Sequence, residues 1–326
     1  MHVVNDAFNS SDLPRGGVAT IGNFDGIHRG QRVILDQVAE RARELNAPAV
    51  VITFDPHPLA VLAPDRAPVP LTTPGQKEAL LAEAGIAEML NVRFTPEFSR
   101  VSGEAFVRDF LHERLGLREV YVGEGFVFGH GRDGNLDLLK RMGGELGFAT
   151  HGVEEVVLGG ERISSTRIRR GLSEGNVSEA AELLGRPYAI SGVIARGDRM
   201  GQRLGWPTIN VVSDNKLLPA DGVYACRVFF PTYPATFDGV TNIGTRPTVY
   251  ENYQRVVESH VLDFKDNVYG KRVELQFFKR LREERLFPTV MDLSAQIGRD
   301  VEATREYFAS RRRMEQEMAP AGLEGE

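Results

Sequence analysis

Two rhythms of apolar and polar positions divide the chain. Up to about residue 186, apolar runs at 18–22, 49–54, 87–94, 119–123 and 151–158 read as strands. Between them, 30–45, 75–84, 102–115 and 134–146 read as helices, the first with Val33, Ile34, Val38 and Ala42 on one side. Strands separated by helices form a parallel sheet covered on both faces, and ligands of such folds sit beyond the carboxyl ends of the strands. After Gly185-Arg186-Pro187 the rhythm changes. Runs at 188–195, 207–212, 222–230, 235–243, 256–264 and 271–279 follow one another with few helices between, punctuated by Pro219, Asp221-Gly222, Pro231 and Asp266-Asn267. Six short strands in succession predict a small antiparallel barrel. A last helix is expected over 290–313, apolar at Leu293, Ile297, Val301, Tyr307 and Phe308, ahead of a tail, 318–326, expected to be disordered. The fold class is therefore α/β over 1–186, then an all-β six-stranded barrel with a terminal helix over 187–326.

At 326 residues the chain is long enough for two separate cores. Its net charge of −6 argues against a polybasic surface for nucleic acid or membrane, yet leaves room for a local positive pocket that binds phosphate. A single cysteine, Cys226, excludes an intramolecular disulfide and a cysteine-rich zinc site, and it fits a reducing compartment. The stretch 1–17 lacks a basic head followed by an apolar core, and no apolar run reaches membrane-spanning length. A cytoplasmic location is the expectation, with no nucleic-acid or membrane partner. The oligomeric state stays open.

Three strand ends of the first half carry groups suited to phosphate. Gly22-Asn23-Phe24-Asp25-Gly26-Ile27-His28-Arg29-Gly30-Gln31 leaves the first strand and enters the first helix. A helix N-terminus flanked by glycines brings backbone N–H groups to an anion, and His28 adds a donor. The plain alternative is a tight turn with an exposed histidine. Thr53-Phe54-Asp55-Pro56-His57-Pro58 ends the second strand. Ile163-Ser164-Ser165-Thr166-Arg167-Ile168-Arg169 opens a helix with hydroxyls, and its two arginines can neutralise phosphate charge, although alone it reads equally as a capped surface helix. A fourth segment, Gly129-His130-Gly131-Arg132-Asp133-Gly134, fits the dinucleotide pattern G-x-G-x-x-G, with Glu154 and Glu155 about twenty residues on. On pattern alone it makes an oxidoreductase a rival.

In the second half, glycines at 197, 201 and 205 permit close backbone approach to an anion, without the Gly-Lys-Ser/Thr ending of a Walker loop. Thr208 and Asn210 are two apart on a strand and face one side, as a hydroxyl and an amide oxygen suited to Mg²⁺. Glu258 lies in a β pattern on a face shared with His260 and Leu262, as a rim charge or as a placed base.

GNFDGIHRG (22–30), TFDPHP (53–58) and ISSTRIRRG (163–171), in that order, resemble the adenylyltransferase half of the bacterial bifunctional riboflavin kinase/FMN adenylyltransferase (FAD synthetase) family. The resemblance implies a Rossmann-like nucleotidyltransferase domain. In it, Gly22, Asn23, Phe24, Asp25, His28, Gln31, Ser164, Thr166 and Arg167 meet ATP and its phosphates, with His28 and Arg167 catalytic. His57, Gly125, Phe126 and Phe128 would line the flavin side. FMN phosphate would attack the α-phosphorus of ATP and expel pyrophosphate, by positioning and charge stabilisation together with Mg²⁺. The same resemblance takes Phe128, Gly129, Arg132 and Gly134 as a Phe-Gly-x-x-Arg-x-Gly loop, against the oxidoreductase. Two segments depart from the family. Gln31 replaces the second histidine of its motif, and Gly125-Phe126-Val127 stands where an Asp or Asn, a Phe and an Arg are usual. These departures imply an adenylyltransferase impaired at Gln31, Gly125 and Val127, or a kinase with a degenerate N-terminal half.

The second half resembles riboflavin kinase through Gly197-x-x-x-Gly201-x-x-x-Gly205-x-Pro207-Thr208-x-Asn210, then Asn242-Ile243-Gly244-Thr245-Arg246-Pro247-Thr248, then Glu258-Ser259-His260. Tyr269-Gly270-Lys271 and Ala295-Gln296-Ile297 agree, and Ile209 replaces the usual Ala. This implies that Glu258 meets the flavin substrate and deprotonates its ribityl hydroxyl, that Thr208 and Asn210 hold Mg²⁺, and that Gly197, Gly201 and Gly205 border the ATP phosphates. ATP, riboflavin and FMN are the implied partners. A flavin-binding regulator without catalysis is the rival from another class.

Overall fold

The computed structural model describes residues 1–197, 200–246 and 254–318. Two compact units divide the chain, Met1–Ser165 and Thr166–Glu326. Pro247 and Thr248 of the second motif and the tail 319–326 lie outside the described residues. Among the described residues no helix is long and apolar enough to cross a membrane.

In the first unit, β1 (His2–Asn5), β2 (Val18–Ile21), β3 (Ala49–Asp55), β4 (Glu88–Arg93) and β5 (Glu119–Gly123) join β8 (Ala149–Val153) in one sheet, ordered β1-β4-β3-β2-β5-β8. Every pairing in it is parallel. Successive side chains point to opposite faces. Ala19, Ile21, Val50, Ile52, Val120 and Val122 pack with Phe106, Phe110 and Leu139, whereas Val18, Val51, Met89 and Tyr121 pack with Leu35, Val38 and Leu81. The second set comes from α1 (Arg29–Glu44) and, beyond the short α2 (Pro58–Leu62), α3 (Pro74–Glu83). The first set comes from α4 (Gly103–Ala105), which runs into a π-helical stretch Phe106–Arg114, and from α5 (Leu136–Leu146). Both faces are covered, as the near-continuous apolar strands require.

Three details differ from the sequence reading. Edge strand β1 is too short to carry a readable alternation. The run expected at 151–158 divides: β8 stops at Val153, exposed Glu154 and Glu155 leave the sheet, and β9 (Val157–Leu158) turns back on β10 (Glu161–Arg162). The G-x-G-x-x-G segment is the loop of a two-residue ladder between β6 (Val127–Phe128) and β7 (Gly134–Asn135), rather than the exit of a sheet strand. Gly129 has φ +75°, and a Cβ there would run into Asp133 and the backbone of Gly103. The glycine thus serves the packing of its own loop.

In the second unit, β11 (Tyr188–Ala195), β12 (Ile209–Ser213), β13 (Gly222–Phe229), β14 (Thr236–Arg246), β15 (Gln254–Val261) and β16 (Arg272–Arg282) close an antiparallel barrel, ordered β11-β12-β15-β14-β13-β16. Tyr224, Cys226, Thr241, Ile243, Val257, Ser259 and Phe277 alternate into buried positions, and Thr241 Oγ1 donates to Ser259 Oγ (3.0 Å). The opposite parity, Val223, Ala225 and Val240, packs with Val301 and Phe308 of the long helix α9 (Val290–Met318), which covers the outer face. Helices α6 (Ser165–Ser173) and α7 (Val177–Leu184) precede the barrel, and α8 (Met200–Arg203) follows β11. The units part at Ser165/Thr166, whereas the change of rhythm read from the sequence falls at 186/187. The reason is that α7 packs on barrel strands, its Ser178 hydroxyl donating to the Phe278 carbonyl of β16 (3.2 Å).

Candidate active sites

The strand order reverses between β2 and β5, so the loops leaving their carboxyl ends flank the crevice where an open parallel sheet takes its ligand. The loop after β2 is tightly wound, with positive φ at Phe24 (+45°), Gly26 (+91°) and Ile27 (+45°). His28 caps α1. Its Nδ1 accepts the Gln31 N–H (3.2 Å), and the Gln31 side-chain oxygen accepts the His28 N–H (3.2 Å). Because Nδ1 is an acceptor, the neutral imidazole carries its proton on Nε2. Gln31, read as a weak phosphate donor, is thus first a capping-box residue that fixes the imidazole. Its remaining N–H groups are the ones available for phosphate.

Around this turn the structure gathers residues from three further segments. His57 caps α2, its Nδ1 accepting the Leu59 N–H (3.1 Å), which leaves Nε2 to meet the Asn23 side-chain amide (3.1 Å). The Asn23 carbonyl accepts from Thr53 Oγ1 (3.2 Å) and from Lys77 Nζ (2.8 Å), and Lys77 also reaches Thr53 Oγ1 (3.4 Å). Burial pushes the Lys77 ammonium below its usual pKa, against the opposing pull of Asp25 and Asp55. Lys77 was not legible as a site residue, since a lysine in a helical stretch reads as solvated. Asp25 turns its carboxylate to the Leu71 N–H (2.9 Å) and, at longer range, to that of Thr72 (3.4 Å), so it braces the segment before α3. Its main-chain carbonyl accepts from Ser165 Oγ (2.9 Å), which brings Ser165, the last residue of this unit, and Ser164 before it to this turn.

On the flavin side expected from the sequence, Phe126 and Phe128 stack at 5.4 Å between centroids and 15° between planes, and both pack on the core beneath. Gly134 makes room for Phe128: a Cβ there would lie 2.7 Å from its ring. Gly125 is exposed, with the Glu155 carboxylate beside it. No polar side chain arises from 125–128 itself. Thr166 and Arg167 fall in the second unit. There the Arg167 guanidinium is bound to Glu179 Oε1 of α7 through Nε (3.0 Å) and Nη2 (2.8 Å), a charge-neutralised pair rather than an open cation.

In the barrel, register decides the site. Glu258 on β15 is paired with Asn210 on β12 and with Asn242 on β14, giving a row of three polar side chains on one outward face. Buried Ile209 and Val211 alternate with half-buried Thr208 and Asn210, as expected. Gly197 lies against Asn210 so closely that a Cβ would overlap its amide. Gly201 closes the next turn, its carbonyl accepting the Trp206 N–H (2.8 Å), with Thr208 Oγ1 nearby. Gly205 has φ +82°. The turn is braced by Trp206 Nε1 donating to Ser294 Oγ of α9 (3.1 Å) and by His260 Nδ1 donating to the Pro207 carbonyl (2.7 Å). Beyond the row, Asp221 ties the ends of β14 and β15, accepting from Thr245 Oγ1 (2.8 Å) and Arg255 Nε (2.9 Å). The described residues contain no cluster of three His, Cys, Asp or Glu that could cage a metal by itself. Hard oxygens on Thr208 and Asn210 beside a glycine cradle suit a Mg²⁺ that takes its other ligands from nucleotide and water.

Comparison with known proteins agrees with both halves. The FAD synthetase family model matches residues 10–167 and the riboflavin kinase model residues 184–308. The bifunctional riboflavin kinase/FMN adenylyltransferase of Escherichia coli (strain K12) is 40% identical over 94% of this chain and 98% of its own. Those of Pseudomonas fluorescens and Haemophilus influenzae are 37% and 33% identical over 94% and 95% of this chain, and 97% and 100% of theirs. A crystal structure described as a macrolide-efflux protein from Streptococcus pneumoniae superposes with a TM-score of 0.84 at 26% identity, over 93% of this chain and 98% of its own.

Proposed function

This chain belongs to the bifunctional riboflavin kinase/FMN adenylyltransferase family, and we propose that its barrel phosphorylates riboflavin through Glu258 while its parallel-sheet unit adenylylates FMN beside His28. The enzyme makes FAD in two steps, each consuming ATP. In the first, the Glu258 carboxylate takes the proton of the ribityl 5′-hydroxyl as that oxygen bonds to the γ-phosphorus and ADP departs. Asn210 and Asn242 flank Glu258 and hold its strand in register with the glycine turn that borders the phosphates. A Mg²⁺ on Thr208 and Asn210 would offset charge on the transferring phosphoryl group.

In the second step, an FMN phosphate oxygen bonds to the α-phosphorus of ATP and pyrophosphate leaves. The His28 Nε2–H, oriented through Nδ1, donates to the phosphate oxygens, and the N–H groups at the start of α1 add to it. Phe126 and Phe128 offer an apolar, stacked surface for the flavin ring. The reducing environment suggested by one buried cysteine, Cys226, suits a cytoplasmic location.

The observation that best supports the reading is the row Asn210–Glu258–Asn242, which sets the motif glutamate between two amide-bearing residues on one face. The test is incubation of the purified chain with riboflavin, ATP and Mg²⁺, followed by chromatographic separation of riboflavin, FMN and FAD. FMN and FAD together support both activities, and FMN alone leaves a kinase with a degenerate first unit. Flavin binding with neither product sinks the reading.

A further inference from the structure

Lys77 sits at the crevice of the first unit without belonging to any motif. Its ammonium is largely buried and bound to two acceptors, the Asn23 carbonyl and Thr53 Oγ1. The charged groups that face it are Asp25, from the loop after β2, and Asp55, at the end of β3. His57 adjoins the same assembly through the Asn23 side chain. A trans peptide is planar, with its carbonyl and N–H on opposite sides. Two donors therefore hold the Asn23 carbonyl to the Lys77 side and turn the Phe24 N–H the other way. That N–H belongs to a buried residue, yet it has no acceptor among the described residues. Buried backbone donors are nearly always paired. Phe24 also adopts φ +45°, a conformation a non-glycine residue keeps only where its surroundings enforce it.

We infer that Lys77 is a positioning residue for adenylylation: by holding the Asn23 carbonyl it aims the Phe24 N–H into the crevice as a donor to nucleotide phosphate. The inference rests on the adenylyltransferase reading of this unit. Lys77 itself touches no reacting atom. Its positive charge strengthens the grip on the carbonyl, since a charged donor makes a hydrogen bond about twice as strong as a neutral one. Without that grip, only the longer bond from Thr53 Oγ1 (3.2 Å) holds the peptide between Asn23 and Phe24 against rotation out of its strained setting.

The test uses the full chain, with kinase activity as an internal reference. Lys77→Met is expected to lower kcat/KM for ATP in FAD formation by roughly 100-fold, the effect of losing one well-aimed backbone donor. KM for FMN and the rate of FMN formation stay near wild type. A pH profile separates this role from simple support of the fold. Lys77 is protonated below its folded pKa, which burial holds under the usual 10.5. Wild-type adenylylation is therefore expected to fall as pH rises toward that value, and the fall should vanish in Lys77→Met. Normal adenylylation in Lys77→Met, or an alkaline fall that persists in it, overturns the inference. If Lys77→Met does not fold, the wild-type profile decides, and absence of the alkaline fall is then the refuting result. If the wild type makes FMN but no FAD, the adenylyltransferase reading fails instead. Binding of inorganic pyrophosphate, followed by calorimetry, then tests Lys77. Weaker binding in Lys77→Gln upholds the inference, and equal affinity sinks it.

Discussion

Gly197→Ala is expected to slow riboflavin phosphorylation by about two orders of magnitude, and to do so through Asn210. An added Cβ at 197 would lie 2.5 Å from Asn210 Cγ and 2.6 Å from Oδ1, where ordinary contact is 3.4–4 Å. The amide must give way by roughly 1 Å, because β12 cannot move as a whole: its ladder is pinned by β11 at Ala195 and by β15 at Glu258. A displacement of about 1 Å in a positioned group can cost on the order of 100-fold, which corresponds to about 2.7 kcal/mol of barrier. The assay is FMN formation at saturating riboflavin across a Mg²⁺ titration, with melting temperature recorded to show that the barrel stays folded. The Mg²⁺ requirement should rise along with the fall in turnover. Asn210→Ala closes a double-mutant cycle, because it removes the atoms that the new Cβ would strike. The double variant should be no worse than Asn210→Ala alone. Wild-type turnover in Gly197→Ala, or losses that simply add in the double variant, would refute the reasoning.

Glu258→Gln keeps shape and removes the base, so kinase turnover is expected to fall by roughly two to four orders of magnitude with little change in ATP or riboflavin binding; near-normal turnover demotes Glu258 to a rim charge. Gln31→Ala loses the capping-box acceptor for the His28 N–H and is expected to cost about 0.5–1.5 kcal/mol of stability, read by calorimetry. Gln31→Glu keeps that acceptor but sets a negative charge beside the phosphates, so FAD formation should drop while melting is unchanged; unimpaired FAD formation contradicts a phosphate at this position. Gly134→Ala forces a Cβ to within 2.7 Å of the Phe128 ring and should destabilise the first unit by about 1–3 kcal/mol, visible as a lowered melting temperature; an unchanged melt removes the packing argument.

Both architectures were legible because each strand obeys the period its surroundings impose. Covered strands such as 49–55 run apolar and buried from Ala49 to Ile52 and turn polar only toward the carboxyl end, while β11 alternates buried and half-buried residues along its whole length. That Thr208 and Asn210 share a face was legible for the same reason, the two being two apart on an alternating strand. Less visible was anything set by contacts distant in sequence. The sequence shows Arg167 as a candidate phosphate ligand but not its ion pair with Glu179, which lies one helix later. Asp25 read as part of a phosphate loop, although its carboxylate braces residues 71 and 72. Gln31 stood out only as a departure from a pattern, and its capping role appears once the His28 N–H is located. Lys77 gave no signal at all, since burial of one lysine depends on the whole crevice rather than on its neighbours in the chain. The helical α6 and α7 likewise belong with the barrel through packing that no periodicity records.

The pairing of Glu258 with residues on both neighbouring strands also governs which lengths of chain the protein can tolerate. Side chains on a strand change face with every residue, so gaining or losing one residue within β15 would exchange Glu258 with Val257 or Ser259. The barrel interior would then receive a carboxylate, and the outer face an apolar or hydroxyl group. A closed barrel has no free edge along which the error could run out, as every strand is held on two sides. Insertions of a single residue within β15 should therefore be lost from a functional library, whereas pairs of residues preserve the parity, and changes confined to turns such as 231–235 leave it untouched. Glu258 is in this sense a reading frame for the barrel: its place beside Asn210 and Asn242 survives only in lengths that count in twos.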